Sequence, residues 1–129
     1  MATITGKYLG NLSSEFVHNE SGVKISVDGH GKSFSPVDLT AASLGACMMA
    51  MMAYTAESKG INLEGMSVEV DKVMADAPRR IGEINVVVNF TQTYTDKEKI
   101  LLQKSAETCP VKKTLSSECK INVTMNFPQ

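Results

Sequence analysis

Two of the three cysteines, Cys47 and Cys109, stand in settings that suit redox chemistry. Cys47 lies inside an almost wholly apolar run that starts at Ser35, so it is expected within a buried helix. Cys109 directly precedes Pro110, a residue type that favours the first position of a helix, which would make Cys109 the cap of that helix. A nucleophilic thiol and its resolving partner need two such different environments. Whether they act together depends on whether the fold brings them into contact.

Each of these cysteines also has a simpler explanation. The helix dipole, with Lys112 and Lys113 in the first turn, would favour the thiolate of Cys109, but a cysteine there can equally be a small cap between two helices. The apolar run alone favours a structural role for Cys47, because burial raises the pKa of a thiol and makes it unreactive. To act as a nucleophile, Cys47 would need a nearby cation or a base.

Asp38 is the acidic candidate for that role, but helix geometry limits it. It precedes Cys47 by nine residues, which corresponds to about 13.5 Å of rise and to opposite sides of a straight helix. Contact would require a break in the helix or the Asp38 of a neighbouring subunit. A capping box with Ser35 accounts for Asp38 without any catalytic role.

The remaining cysteine and the two histidines do not indicate a metal site. Cys119 shares the parity of the apolar residues in the last predicted strand, so it is expected in the core. The chain has no CxxC motif, and His18 and His30 lack the spacing of metal ligands. We therefore expect neither a metal nor another cofactor.

The pattern of apolar residues predicts an α+β protein. Strands are expected at residues 3–8, 14–19, 23–27, 66–70, 84–90 and 121–127. Val23, Ile25 and Val27 alternate, which predicts that the third strand has one buried face. A capping box at Thr95 opens a helix that ends near Thr108, and a short helix follows over residues 110–115.

A long helix is expected from Pro36 to Lys59. Ser35 serves as its cap, and Gly60 stops it. It would be roughly 37 Å long and apolar nearly all round. That length exceeds what one small domain covers, unless Gly45 bends the helix, so we expect a second chain to cover part of it.

Size and composition restrict the class of protein. A chain of 129 residues is expected to form one domain, residues 1–129. Its composition, with 43% hydrophobic and 21% charged residues, is typical of a globular protein. The formal net charge of −1 gives no reason to expect a nucleic acid partner. We expect neither a signal peptide nor a membrane span, and we place the protein in the cytoplasm. Thiol pairs in that compartment are more often catalytic, redox-sensing or metal-binding than structural.

The two cysteine motifs together resemble the OsmC/Ohr family, the osmotically inducible and organic hydroperoxide resistance proteins. The resemblance rests on the run SPVDLTAASLGAC over residues 35–47, on CPV over residues 109–111, and on RRIGEI over residues 79–84. The order of elements and the length agree with the family over essentially the whole chain.

This resemblance implies an OsmC-like fold, with antiparallel sheets around a long central helix, in an intertwined homodimer with active sites at the subunit interface. It also implies a thiol-dependent peroxidase that serves in oxidative-stress defence. Cys47 would attack an organic hydroperoxide, and Cys109 would convert the resulting sulfenic acid into a disulfide. A dithiol reductant would then restore both thiols.

The peroxidase branches of the family differ from this chain at two positions. They carry a glutamate where this chain has Val37, and Asp38 stands one position later. They also have an arginine in the N-terminal strands, whereas the first arginine here is Arg79. Lys7, Lys24 or Lys32 could supply a charge but not a bidentate contact, and Arg79 or Arg80 could substitute from another strand.

The methionines after Cys47 and the chemistry of the pair leave alternatives open. Met48 and Met51 are of a type more often found in the core, but they would also suit an apolar substrate pocket. Two other functions fit the same fold. One is a binding module for an apolar ligand, and the other is a thiol–disulfide sensor that cycles without peroxide turnover.

Overall fold

The computed structural model describes residues 1–128, and its helices and strands follow the predicted order. The chain divides into two compact units, which we call the N-terminal unit (residues 1–40) and the C-terminal unit (from residue 41), with the boundary inside the long helix. The α+β class is therefore confirmed, while a single domain over residues 1–129 stays a prediction.

The N-terminal unit contains a three-stranded antiparallel sheet. Its strands, in spatial order, are β1 (Ile4–Gly10), β2 (Ser13–His18) and β3 (Lys24–Asp28). Phe16 pairs with Gly6 on one side and with Ile25 on the other. Its ring occupies the space above Gly6, where an added Cβ atom would lie 2.2 Å from the ring. Phe16 and Ile25 thus form part of one apolar face of the sheet.

The buried face predicted for β3 is present only in part. Val27 is buried, whereas Ile25 is 48% exposed, and Val23 lies before the strand and is 61% exposed. Alternation along the strands places Tyr8 and Ile4 on the same side as Ile25, and both are also exposed. The sheet therefore has an open apolar face.

The long helix, α1 (Pro36–Lys59), has the predicted limits. The Asp38 N–H donates to the Ser35 hydroxyl (3.1 Å), and the Ser35 N–H donates to the Asp38 carboxylate (3.1 Å), which completes the capping box. Gly60, with φ of +68°, follows the last turn. By length and composition α1 is also apolar enough to cross a membrane, a property that it shares with helices buried in protein cores.

Gly45 serves close packing of α1 on the sheet of the C-terminal unit. A Cβ atom added to Gly45 would lie 2.8 Å from Cγ2 of Val70 and 3.4 Å from Val68. Only a residue without a side chain permits this approach of helix to strand. The structure thus gives Gly45 a packing role, and the segment remains α-helical through it.

The sheet of the C-terminal unit has the order β4-β5-β6, with strands β4 (Ser67–Ala75), β5 (Arg80–Asn89) and β6 (Lys120–Asn126). β4 and β5 pair antiparallel as expected, but β5 and β6 are parallel. Parallel neighbours require a crossover connection. Here that connection contains α2 (Asp96–Ala106) and α3 (Pro110–Thr114), so β6 departs from the antiparallel pairing that the resemblance implies.

The core of the C-terminal unit forms between α1, this sheet and α2. Its largest fully buried side chains are Leu44, Met48, Met52, Ile84, Val86, Val88, Leu102 and Cys109. Cys109 is therefore a core residue as well as the residue that precedes α3. The methionines of α1 are mainly core, because Met48 and Met52 have no exposed surface.

Candidate active site

Cys109 is held at the start of α3 by the turn that follows α2. The N–H and the hydroxyl of Thr108 both donate to the Ser105 carbonyl, at 3.1 and 2.6 Å. The Cys109 N–H donates to the Ala106 carbonyl at 3.4 Å. Cys109 is the N-cap of α3, where its Sγ accepts the N–H of Lys112 at 3.4 Å. The predicted capping position of Cys109 is confirmed.

The thiol of Cys47 on α1 lies beside the thiol of Cys109, close enough to raise its pKa. Both residues belong to the C-terminal unit and are free cysteines. The fold therefore brings together the two thiols that the sequence singled out. Two neighbouring thiols are the starting arrangement for disulfide formation.

The pKa of the Cys109 thiol is raised above its ordinary value of 9.0, mainly by burial. The hydrogen bond with Cys47 and the negative charge of an ionised Cys47 raise it further, whereas the backbone N–H groups of Lys112 and Val111 act in the opposite direction. The expectation that Cys109 is the low-pKa thiol is wrong. The reason is that burial of the thiol outweighs the opposing effect of the two backbone N–H groups on its pKa.

Access from solvent also distinguishes the two cysteines. Cys109 is 0% exposed, whereas Cys47 is half-buried. A molecule arriving from solvent would therefore reach Cys47 first. Cys47 is thus more accessible than its apolar run suggests.

Lys112 contacts the Cys109 thiol through its backbone and not through its charged group. Its backbone N–H contacts the Cys109 thiol, and its ammonium group forms an ion pair with the carboxylate of Glu107. The ammonium group lies on a half-buried side chain, so its charge is partly shielded from water. The pair places both charges beside the turn that carries Cys109.

Arg79 and Arg80 lie in and after the turn between β4 and β5. Arg79 is exposed, and the Arg80 guanidinium donates to the carbonyls of Asp76 (3.1 Å) and Pro78 (3.0 Å). Its Nε lies 3.7 Å from the Glu118 carboxylate. These contacts hold Arg80 to its own turn and to the start of β6, and a role of either arginine in substrate binding stays a prediction.

The other predicted site residues occupy distinct places. Asp38 lies in the first turn of α1 within the N-terminal unit, and its catalytic role stays a prediction. Met48 is fully buried, while Met51 is half-buried beside the core. Cys119 precedes β6, packs half-buried against the core, and has a pKa raised by burial. Within residues 1–128, no group of three or more His, Cys, Asp or Glu side chains is placed to hold a metal ion.

Sequence analysis missed a pair of hydroxyl groups near the thiols. The Thr55 hydroxyl of α1 and the Ser105 hydroxyl of α2 lie 2.6 Å apart, and Ser105 is buried. The available signal was spacing, because Ser105 precedes Cys109 by one helical turn and Thr55 follows Cys47 by about two turns. Polar residues within apolar helix faces at such spacing can mark a contact between helices.

The chain is similar to a known protein family and to several solved structures. The family model for OsmC-like proteins matches residues 29–124. A solved protein of Psychrobacter arcticus 273-4, provisionally named an osmotic stress induced and detoxification response protein, is 33% identical with a TM-score of 0.93, and the match covers 98% of this chain and 96% of that chain. Among curated proteins, the comparison gives no match.

More distant solved structures share the fold. An OsmC-like protein from Mycoplasma pneumoniae is 23% identical with a TM-score of 0.84, over 98% of this chain and 96% of that chain. The organic hydroperoxide resistance protein OhrB of Bacillus subtilis is 18% identical with a TM-score of 0.71, over 98% of each chain.

Proposed function

The chain belongs to the OsmC-like family, and from this premise we propose that it is a thiol-dependent peroxidase that reduces organic hydroperoxides through Cys47 and Cys109. Its structural neighbours include proteins named for organic hydroperoxide resistance. The observation that carries the proposal is that the fold places the two thiols side by side. A peroxidase with one attacking and one resolving cysteine needs this contact.

Solvent access and protonation support Cys47 as the attacking residue. Cys47 is half-buried and can meet a peroxide, whereas Cys109 is fully buried and its raised pKa keeps it protonated. The thiolate of Cys47 attacks the peroxide O–O bond, which breaks to give a Cys47 sulfenic acid and an alkoxide, and the alkoxide takes a proton from water and leaves as the alcohol. The oxidised atom is the Cys47 sulfur, and the reduced group is the peroxide.

Cys109 then resolves the sulfenic acid. Its sulfur forms a bond to the Cys47 sulfur, and the sulfenic hydroxyl leaves as water with the proton of the Cys109 thiol. A dithiol reductant transfers two electrons and two protons to the disulfide and restores both thiols. Such reductants are plentiful in the cytoplasm, where we place the protein.

The surroundings of the pair favour an apolar peroxide. Met51 packs half-buried against the core one turn after Cys47, so a substrate at Cys47 could touch it, while Met48 is fully buried in the core. The backbone N–H of Lys112 contacts the Cys109 thiol, and the ammonium group of the same residue pairs with Glu107 beside that turn. We therefore add Lys112 to Arg79 and Arg80 as a candidate for the positive charge, and Asp38 remains the candidate acid.

The proposed enzyme is a homodimer. Val27 is the single buried residue in residues 1–40, and the apolar face of β1, β2 and β3 is open. A unit of that size cannot bury enough surface to stabilise itself. On α1, Ala42, Ala46 and Ala50 are also exposed, and small apolar residues allow close approach of another helix. A second copy of the chain would cover both surfaces.

The test is the consumption of cumene hydroperoxide by the purified protein with dithiothreitol as reductant. Turnover should exceed that with hydrogen peroxide and should disappear in Cys47→Ser. Cys119→Ser is the matched control, because Cys119 is a half-buried cysteine outside the pair, and it should retain turnover. A folded protein without peroxide turnover would contradict the proposal, and an apolar molecule found bound to it would favour the binding module.

A further inference from the structure

We propose that the hydroxyl groups of Thr55 and Ser105 form a positioning device that holds the end of α2 against α1 and so keeps Cys109 in contact with Cys47. This inference rests on the proposed redox function of the two thiols. It concerns residues that touch neither peroxide nor reductant. Thr55 and Ser105 are therefore positioning residues and not catalytic ones.

The direction of the hydrogen bond follows from the donors available. The Ser105 hydroxyl has one proton, which it donates to the Leu101 carbonyl at 2.9 Å. It can then only accept from Thr55, whose oxygen lies 2.6 Å away. The result is a directed chain from Thr55 through Ser105 to the α2 backbone. Successive hydrogen bonds of this kind strengthen one another, especially where water is excluded.

The burial of Ser105 makes the hydrogen bond between Thr55 and Ser105 specific to one arrangement of α1 and α2. Ser105 is 8% exposed, so its hydroxyl has little opportunity to exchange Thr55 for a water molecule. A small shift of α2 along α1 would leave the Thr55 hydroxyl without this acceptor. Ser105 is the buried member of the pair, and the same shift would leave its hydroxyl oxygen without the Thr55 donor, which is costly away from water, so the pair favours one register of the two helices.

The geometry connects this register to the thiols. Cys47, Met51 and Thr55 follow one another at intervals of four residues, which places them along one ridge of α1. Thr55 meets Ser105, and Cys47 meets Cys109. From Ser105 to Cys109 the chain therefore runs antiparallel to α1. Its two contacts with α1 lie about 12 Å apart along the helix axis. Fixing one contact limits the freedom of the other.

Ser105 also controls the turn that carries Cys109. Its carbonyl accepts both the N–H and the hydroxyl of Thr108, and Cys109 is the next residue. One residue therefore attaches α2 to α1 through its side chain and shapes the turn to α3 through its backbone. Because disulfide formation requires the two thiols to stay close, we expect the hydroxyl pair to raise their effective concentration.

The test measures the thiol–disulfide equilibrium in buffers of oxidised and reduced dithiothreitol, in a Cys119→Ser background. In this exchange Cys47 and Cys109 give two electrons and two protons to the oxidised dithiothreitol, and one disulfide replaces another. The disulfide fraction is measured by mass after alkylation of free thiols. Thr55→Val and Ser105→Ala should each lower the equilibrium constant for the protein disulfide about five- to tenfold, where tenfold corresponds to about 30 mV.

Two variants separate positioning from general stability. Thr55→Ser keeps the hydroxyl and should leave the equilibrium constant unchanged. Ser58→Ala is the matched control, because the Ser58 hydroxyl donates to the Thr55 carbonyl within α1 itself. Circular dichroism confirms that each variant is folded in both redox states.

The outcomes are distinct. Folded Thr55→Val and Ser105→Ala proteins with equilibrium constants within twofold of the parent would overturn the positioning role, because a merely structural bond stabilises both redox states equally. Parent protein that forms no Cys47–Cys109 disulfide at any dithiothreitol ratio would overturn the proposed function together with this inference. A shift in the two variants, absent in Thr55→Ser and Ser58→Ala, supports it.

Discussion

Cys47 in α1 and Cys109 at the cap of α3 place their thiols side by side, although they lie about 60 residues apart in the sequence. The contact exists because the parallel pairing of β5 and β6 sends the chain back through α2 and α3. Burial then assigns the two thiols different properties. Cys109 holds its proton inside the core, and Cys47 has access to solvent.

The first prediction concerns the resolving step. Cys109→Ser should leave the sulfenic acid on Cys47 without a partner, so that it persists after one equivalent of cumene hydroperoxide. Dimedone labelling followed by mass measurement should detect the adduct in this variant and little of it in the parent. Turnover with dithiothreitol should fall by about tenfold or more, because the reductant must now attack the sulfenic acid directly. Undiminished turnover in Cys109→Ser would remove Cys109 from the mechanism.

The second prediction follows from the raised pKa of Cys109. An unfolded chain loses the proton of this thiol near its ordinary value of 9.0, while the folded protein retains it to higher pH. The folded state thus binds more protons there, and the stability that Cys109 contributes is complete below pH 9 and is lost as the pH rises toward the folded pKa. The free energy of unfolding should fall by up to about 1.4 kcal/mol per pH unit from this group.

Urea unfolding of the reduced protein between pH 8 and pH 10.5 checks this dependence. Cys109→Ala should show a shallower decline, since the contributions of Cys119 and Tyr94, whose pKa values are also raised, are common to both proteins. Equal slopes for parent and variant would mean that burial does not hold the Cys109 proton.

The third prediction concerns the packing of α1 on β4. Gly45→Ala should destabilise the protein by about 1 kcal/mol, because crowding by an added methyl group outweighs the gain in helix propensity. Val70 is the neighbour that must move, at 2.8 Å from the new Cβ atom. In a Val70→Ala background the same substitution should become neutral or stabilising. Urea unfolding of the four proteins measures the coupling, and additive effects would contradict the close approach.

The fourth prediction concerns the open sheet face of the N-terminal unit. Ile25→Glu should convert the proposed homodimer into a monomer, because a charge in an apolar interface lacks a partner. Lys24→Glu is the matched control, since the adjacent residue of β3 points to the opposite face. Sedimentation equilibrium distinguishes the two species. A monomeric parent protein, or a dimer that Ile25→Glu leaves intact, would show that this face is not the interface.

Features that depend on neighbouring residues were predictable from the sequence. The limits of α1 followed from Ser35, Asp38 and Gly60, because caps and stops act within one turn. The position of Cys109 followed in the same way from Pro110. Both predictions needed only the local backbone geometry.

Features that depend on contacts between distant parts of the chain could not be predicted from the sequence. The direction of β6 beside β5 depends on a crossover, and residue alternation is the same for parallel and antiparallel strands. The pKa of Cys109 was misjudged because the sequence shows a helix start but not the burial around it. Thr55 and Ser105 were overlooked because a hydroxyl in a helix can satisfy itself locally, and only the fold shows that two of them meet.

A disulfide between Cys47 and Cys109 would enclose most of the core of the C-terminal unit in a covalent ring. The ring would contain Met48, Met52, Ile84, Val86, Val88 and Leu102. Closing a loop of about 60 residues restricts the unfolded chain and should add about 4 kcal/mol of stability in the chain-entropy model. Oxidation would thus make the protein more resistant to heat and to proteases. The protein would be most stable when the peroxide that oxidises it is most abundant.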